Sequence, residues 1–550
     1  MLVYPRFTGA SFWNFREACE LVGARYPAPP LGLITVAAML PRDWELRLID
    51  RNVEELSDRD MDWADLVLTG GMLPQQVDVL HIIELAHSAG KPVAVGGPDA
   101  TSSPELYANA DFRVLGEAED VIDAFAEAWR AGEKKGDFSA PKFQADVTRT
   151  PVPRFDLLTF SNYTFIGIQF SRGCPFTCEF CDIIELYGRV PRTKSTAQIL
   201  AELDTLYSLG YRGHVDFVDD NLIGNKKAVK AFLPALIEWQ KARHYPFEFS
   251  TEASLNLADD KALLDLLAEA GFFTVFVGIE SPDEEVLRAT QKKQNTRRDI
   301  VASIDKIYAA GIVVIAGFIL GFDDETPGAG KRMAALIEDA SIPVSMVGLL
   351  YALPNTQLTT RLQKEGRLYL DHGVDMDDGS ADQCVSGLNF ATKRPRIDIL
   401  RDYHGVVSSI YTPQAFFGRV SRVGRKLRVR HVKGGFNWGR TWVDARRFLH
   451  FTVAGTLKRP RFAGQMALMI AKGLCSNPAA LPHMFKMALL YAHLGPFSQY
   501  IGREISSQIG AIEKRPEPSR TVPGNVKGDR RGERSGAPSV QEYEVETRLR

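Results

Sequence analysis

The chain has 550 residues, 45% hydrophobic and 24% charged, the balance of a soluble globular protein and not of a disordered, collagen-like or membrane-embedded one. At roughly 150 residues per domain it is long enough for three or four units. Six cysteines are too few for a disulfide scaffold, MLVYPRFTGA lacks the build of a signal peptide, and no apolar stretch reaches the roughly 18 uncharged residues of a membrane span, so a reducing cytoplasm is the expected compartment. The net charge of -2 hides an asymmetry: between Tyr403 and Arg503 stand 16 Lys or Arg against the single acid Asp444, which sets a basic module on an acidic body.

Residues 1–145 alternate short apolar runs with helical patterns. Leu2 to Tyr4, Trp44 to Ile49, Asp65 to Thr69, Pro92 to Val95 and Phe112 to Leu115 read as strands, and Leu31 to Leu40 and Gln75 to Ser88 as helices, which predicts a parallel, doubly wound sheet. Gly70, Gly71, Gly96, Gly97 and Pro98 fall directly after strands, at the carboxyl edge where open α/β sheets bind ligands. Residues 146–164, with Pro151 and Pro153, form an extended linker.

A second βα series spans 165–365, with strands predicted at Phe165 to Phe170, His214 to Val218, Glu248 to Thr251, Thr274 to Val277, Val313 to Ile319 and Val344 to Leu350. Six such units suit a partial barrel better than a closed eight-fold one. Residues 366–514 read as an accessory region, helical and basic, and 515–550, rich in Pro, Gly, Ser and charge, as a disordered tail.

The chemistry concentrates in Ser171-Arg172-Gly173-Cys174-Pro175-Phe176-Thr177-Cys178-Glu179-Phe180-Cys181. Three thiolates spaced C-x3-C-x2-C on one loop select an iron-sulfur cluster or zinc. Structural zinc wants a fourth ligand, and no second Cys or His pair lies nearby. Three unrelated buried thiols are the remaining alternative, which the crowding of half the cysteines into eight residues disfavours. Cys19, Cys384 and Cys475 are isolated bystanders.

This loop, with Phe180 before its last cysteine, resembles the signature of the radical S-adenosylmethionine (SAM) superfamily. The resemblance implies a [4Fe-4S] cluster on Cys174, Cys178 and Cys181, with SAM chelating the remaining iron. It also implies SAM contacts from strand ends at Asp219, Asp220 and Asn221, at Glu252, at Glu280 and Ser281, and at Gly317. The preceding domain is similar to the cobalamin-binding domain of B12-dependent radical SAM enzymes, which assigns Gly70, Gly71, Gly96, Gly97 and Pro98 to the cofactor. One departure stands out: the stretch Asp50-Arg51-Asn52-Val53-Glu54-Glu55 lacks the cobalt-binding His of the mutases. A methylthiotransferase would carry a second cysteine trio in this domain, which holds only Cys19.

The runs Phe217 to Asn225, Cys181 to Arg189 and Phe276 to Glu280 are similar to the hopanoid C-2 methylase branch. The resemblance therefore implies an α/β fold: a doubly wound cobalamin-binding-like domain, then a partial (β/α)6 radical SAM barrel and a helical C-terminal region. It implies reductive cleavage of SAM and methyl transfer by way of cobalamin to an unactivated carbon of a hydrophobic substrate, with a hopanoid lipid as the candidate. Ring formation or oxidation, as in tetrapyrrole-acting relatives, is the first alternative, and a non-catalytic iron-sulfur protein binding nucleic acid or a partner is the second. Tyr187, Arg189 and Tyr351 are candidate substrate contacts, and flavodoxin or ferredoxin the expected electron donor. The basic, apolar stretches after Tyr403 suit peripheral contact with the inner face of an anionic membrane more than nucleic acid; packing on the acidic barrel is the competing reading.

Overall fold

The computed structural model describes residues 1–7, 11–369, 384–429 and 460–514. Its first sheet contains β1 (Leu2–Tyr4), β2 (Leu48–Asp50), β3 (Val67–Gly70), β4 (Val93–Gly96), β5 (Phe112–Leu115) and β6 (Gly136–Ser139), all parallel, in the order β2-β1-β3-β4-β5-β6. The strands are short because both faces are buried: Val3, Val67, Val93 and Phe112 are shut off from solvent between helices such as Leu31–Met39 and Gln76–Ser88. The strand expected from Trp44 begins later, at Leu48, because Trp44 packs among Phe112 and Phe125 instead. Strand β6 was not anticipated. It is an edge strand of sequence Gly-Asp-Phe-Ser, with too little apolar content to signal itself.

After three short turns between Val147 and Asn162 the second sheet begins at β7 (Phe165–Ile168). A small antiparallel pair, β8 (Ser171–Arg172) and β9 (Arg192–Thr193), follows. Then come β10 (Gly213–Phe217), β11 (Phe247–Glu252), β12 (Phe272–Glu280), β13 (Val313–Leu320) and β14 (Val344–Leu349), parallel in the order β14-β13-β12-β11-β10-β7. All six anticipated strands are present, and β7 and β14 do not pair, so the barrel is partial.

One face of this sheet is sealed by helices. Phe217 and Phe249 meet edge to face at 5.4 Å, and Phe247 stacks 5.5 Å from Trp239 of the helix Lys226–Ala242. Truncating such a buried Phe to Ala costs about 3–5 kcal/mol. Local signals set the helix starts, as where Ser195 and Gln198 form a reciprocal capping box before Thr196–Ser208.

The C-terminal region is helical, with Arg396–Ile410, Pro413–Lys426, Pro460–Ser476 and Leu481–Ile512. Several of its basic residues turn inward onto the acidic barrel. Arg419 is fully buried, paired with Glu338 and donating to Ile342 O at 2.7 Å; Arg422 reaches Glu338 at 2.6 Å, Lys426 reaches Asp305 at 2.7 Å, and Lys486 pairs with Glu248. For these residues, packing on the barrel is the observed use of the charge. The expected tail 515–550 and the apolar stretch from Trp442 to Leu457 lie outside the described residues. No helix among the described residues is long and apolar enough to cross a membrane.

Candidate cluster and cofactor site

The cysteine loop leaves β7 and is braced at every step. Asp219, just beyond β10, accepts hydrogen bonds from Phe170 N at 3.0 Å, from the Ser171 hydroxyl at 2.5 Å and from Ser171 N. Asp220 accepts from Gly173 N at 2.9 Å. Gly173 has φ +94°, and a Cβ there would stand 2.9 Å from Gly188 O and 3.1 Å from Tyr187 O, so only glycine fits. Glu179 is gripped by Arg361 at 2.9 Å and 3.1 Å, which staples the loop to the helix Gln357–Lys364.

Cys178 is buried, and Cys174 and Cys181 are half-buried. Amide donors approach two of the sulfurs: Asn221 Nδ2 lies 3.8 Å from Cys174 Sγ, and Gln294 Nε2 lies 3.7 Å from Cys178 Sγ. Burial pushes the Cys178 and Cys181 thiols up, so the thiolates call for bound cationic metal. Among the described residues no three His, Cys, Asp or Glu side chains converge on a single metal ion. Three thiolates on one loop instead fit a cubane, whose iron corners stand apart, with one corner left over.

The remaining strand-end residues surround this loop. Phe180 rests 5.6 Å from Phe322, with Lys292 Nζ 5.9 Å over its ring. Lys292 pairs with the buried Glu280 at 2.7 Å. Glu280 has φ +67°, where β12 slips register against β13, and Asn295 secures the slip by donating to Gly278 O and Ile279 O. Ser281 is buried and accepts from Asp283 N. Gly317 lies opposite Gly278, and a Cβ there would strike the Phe276 ring at 2.9 Å. Arg189 points outward, whereas Tyr187 and Tyr351 are half-buried.

The inner face of the barrel sheet, which the helix Leu481–Ile512 meets through Lys486 and Glu248, carries a polar array outside the motifs above. His214 Nε2 lies 2.5 Å from Ser250 Oγ, whose hydroxyl donates to Asp216; with Asp216 ionised, His214 must then donate through Nε2. Burial pulls His214 down to about 3 and pushes Asp216 up to about 6. Two residues beyond Ser250, Glu252 is open to solvent yet stands close to Asp216, Asp219 and Asp220. Desolvation by the protein around it, reinforced by Asp216, Asp220 and Asp219, pushes it up to about 8, and among the described residues it has no hydrogen-bond or ion-pair partner. Its register neighbours across the sheet are Phe276 and Ile315, and Trp13 lies 5.4 Å from Phe276. The sheet thus sets polar side chains on β10 and β11 beside apolar ones on β12 and β13. The signal was in the sequence, as polar residues at period two in HVDF and EFSTE.

At the first sheet's carboxyl edge the glycines pack on one another: a Cβ on Gly70 would meet Gly96 O at 2.3 Å, and one on Gly97, at φ +93°, would meet Gly71 N at 3.3 Å. Pro98 opens the short helix Pro98–Ser102. Arg51 Nε and Nη1 and Thr69 Oγ1 are buried near this edge without partners, a donor set that fits an amide- and phosphate-bearing cofactor. Asp50 bonds Asn52 and Tyr163, and of the two histidines of this domain His81 is half exposed and His87 pairs with Asp111. A separate cavity of about 970 Å³ lies between the C-terminal helices, lined by His404, Tyr411, Tyr491 and Arg503, away from the cysteine loop.

Comparison with known proteins agrees with this geometry. Residues 168–337 match the Radical SAM superfamily, residues 21–126 match the B12 binding domain, and residues 356–507 match a domain of unknown function. The chain is 44% identical to an uncharacterized methyltransferase of Synechocystis sp., covering 92% of this chain and 94% of the relative. It is 38% identical to the hopanoid C-2 methylase of Rhodopseudomonas palustris, covering 76% and 78%. The structure of the cobalamin-dependent radical enzyme OxsB, with aqua-cobalamin and S-adenosylmethionine bound, shares the fold at 15% identity and a TM-score of 0.57, over 93% of this chain and 80% of that one. A thiolate trio at the mouth of a partial barrel, a B12-binding sheet placed against it and these two relatives together show that the chain belongs to the cobalamin-binding radical SAM enzymes, in the family of the hopanoid C-2 methylase.

Proposed function

We propose that the protein is a cobalamin-dependent radical SAM C-methyltransferase that methylates an unactivated carbon of a hydrophobic substrate, with a hopanoid as that substrate. The observation that carries the reading is the joining of a three-cysteine loop to the carboxyl edge of a B12-binding sheet, with the apolar rings of Trp13 and Phe276 on the barrel sheet. The identity to the hopanoid C-2 methylase supports the lipid assignment. When bound, SAM and the cluster supply a radical able to take hydrogen from an unactivated carbon, and cobalamin supplies the methyl group.

The chain's part is to bind, orient and exclude water. In this reading Cys174, Cys178 and Cys181 hold the cluster, and Asp219 and Asp220 brace its loop. Glu252, the carboxylate without a partner, faces SAM, and Gly317 keeps the opposite strand clear of it. Trp13, Phe276 and Ile315 receive the hydrocarbon. Residues 1–145, 165–365 and 366–514 form the three working parts, with 146–164 as linker. A low-potential one-electron donor of the flavodoxin or ferredoxin kind supplies the electron. Peripheral membrane contact would fall to Pro460–Ser476, where Leu468 and Leu474 are exposed near Lys472. Flotation with anionic vesicles checks that part, and absence of binding would remove it.

The substrate assignment is tested by incubating the anaerobically reconstituted enzyme with a hopanoid fraction, SAM and a low-potential reductant. A hopanoid heavier by one methylene unit, formed only with cobalamin present, is the expected result. A product lighter by two hydrogens would favour oxidation or ring formation.

A further inference from the structure

Four ionisable side chains close the gap between the two sheets. Arg172 donates to Glu119 at 2.7 Å and 3.0 Å, and reaches Glu117 at 3.1 Å. Arg192, the register partner of Arg172 in the β8–β9 pair, takes the other oxygen of Glu117 at 2.7 Å. Thr150 also donates to Glu119, at 2.7 Å. None of the four ionisable side chains is more than 16% exposed. Burial works against the Arg172 charge, but Glu119 and Glu117 outweigh it and its pKa is raised, while that of Glu119 is correspondingly lowered. Arg172 and Glu119 are therefore charged.

Such a cluster is a weak source of stability, because apolar packing of the same volume would hold two surfaces together as well. What a bidentate guanidinium adds is fixed direction and spacing. Its placement gives that rigidity a use. Glu117 follows Gly116 at the end of β5, on the sheet edge that carries the paired glycines, and Arg172 stands two residues before Cys174. Arg192 extends the brace by donating to Tyr187 O, the same carbonyl that crowds Gly173. Cofactor edge and cluster loop are thereby joined through two carboxylates and two guanidinium groups, with Glu117 the one carboxylate that both guanidinium groups share.

We propose that Glu117 and Arg172 are positioning residues that fix the distance and orientation between cobalamin and the cluster. This rests on the cofactor reading given above and adds to it the residues that set the geometry. The experiment is pulsed electron paramagnetic resonance on the full chain carrying both cofactors, measuring the distance between paramagnetic cobalt and the reduced cluster. Wild type should give one narrow distribution. In Glu117→Gln, and in Arg172→Lys, which keeps the charge but cannot span two carboxylates, the distribution should at least double in width with cobalamin and iron contents retained. Glu117→Asp should stay near wild type, as should Asp259→Asn, which removes an exposed ion pair with Arg298. Unchanged distributions in Glu117→Gln and Arg172→Lys overturn the inference, as does outright loss of cobalamin in Glu117→Gln, since a joint should leave each site able to bind. A wild-type chain that takes up no cobalamin would overturn the cofactor reading itself and this inference with it.

Discussion

Glu252 of β11 and Phe276 of β12 are register partners at the mouth of the partial barrel, so an acidic and an apolar side chain stand next to each other at that pair. Glu252 and Asp216 both have carboxyl groups raised by burial, to about 8 and about 6. A group whose pKa is higher in the folded than in the unfolded chain holds its proton more tightly when folded. Its contribution to stability is full below the usual carboxyl range and is lost as pH rises through the folded value. The melting temperature of the cofactor-free protein should therefore fall as pH rises from the usual carboxyl range, the Asp216 share ending at about 6 and the Glu252 share at about 8. Thermal unfolding of Asp216→Asn and Glu252→Gln should show that fall flattened, and a fall of wild-type steepness in both would refute the assignment.

Gly173 is the tightest point of the cysteine loop. Gly173→Ala would place a methyl group against Gly188 O and Tyr187 O at a left-handed φ, a strain of about 1–3 kcal/mol. Iron content after anaerobic reconstitution should drop well below wild type, while Gly210→Ala, at a positive φ in open space, should leave it unchanged.

Lys292 and Glu280 form a nearly buried pair beside Phe180. Lys292→Met strands the carboxylate and should cost about 3–5 kcal/mol by denaturant unfolding. Replacing both, as Lys292→Met with Glu280→Leu, should recover most of that loss. Equal destabilisation in the single and double variants would mean that the pair is not the source.

The cysteine trio was legible because its ligands lie within eight residues and their spacing is itself the signal. The six barrel strands were legible too, since each is an apolar or alternating run, most of them set between helical patterns. The polar array was half legible: His214 and Asp216 alternate with Val215 and Phe217, which in a parallel sheet sets one face apart from the near-continuous apolar run that burial of both faces produces. The joint between Glu117 and Arg172 was not legible, because 55 residues separate the partners and they belong to different sheets. Nor was the inward use of Arg419 and Lys486, which a charge count cannot tell from a solvated basic face.

The most direct test of the account is anaerobic reconstitution with iron, sulfide and cobalamin, followed by mass spectrometry after incubation with SAM, a low-potential reductant and a hopanoid fraction. The account predicts 5'-deoxyadenosine and S-adenosylhomocysteine together, both lost in Cys174→Ala, with S-adenosylhomocysteine also lost when cobalamin is withheld. Formation of 5'-deoxyadenosine alone, irrespective of cobalamin, would contradict methyl transfer as the protein's activity.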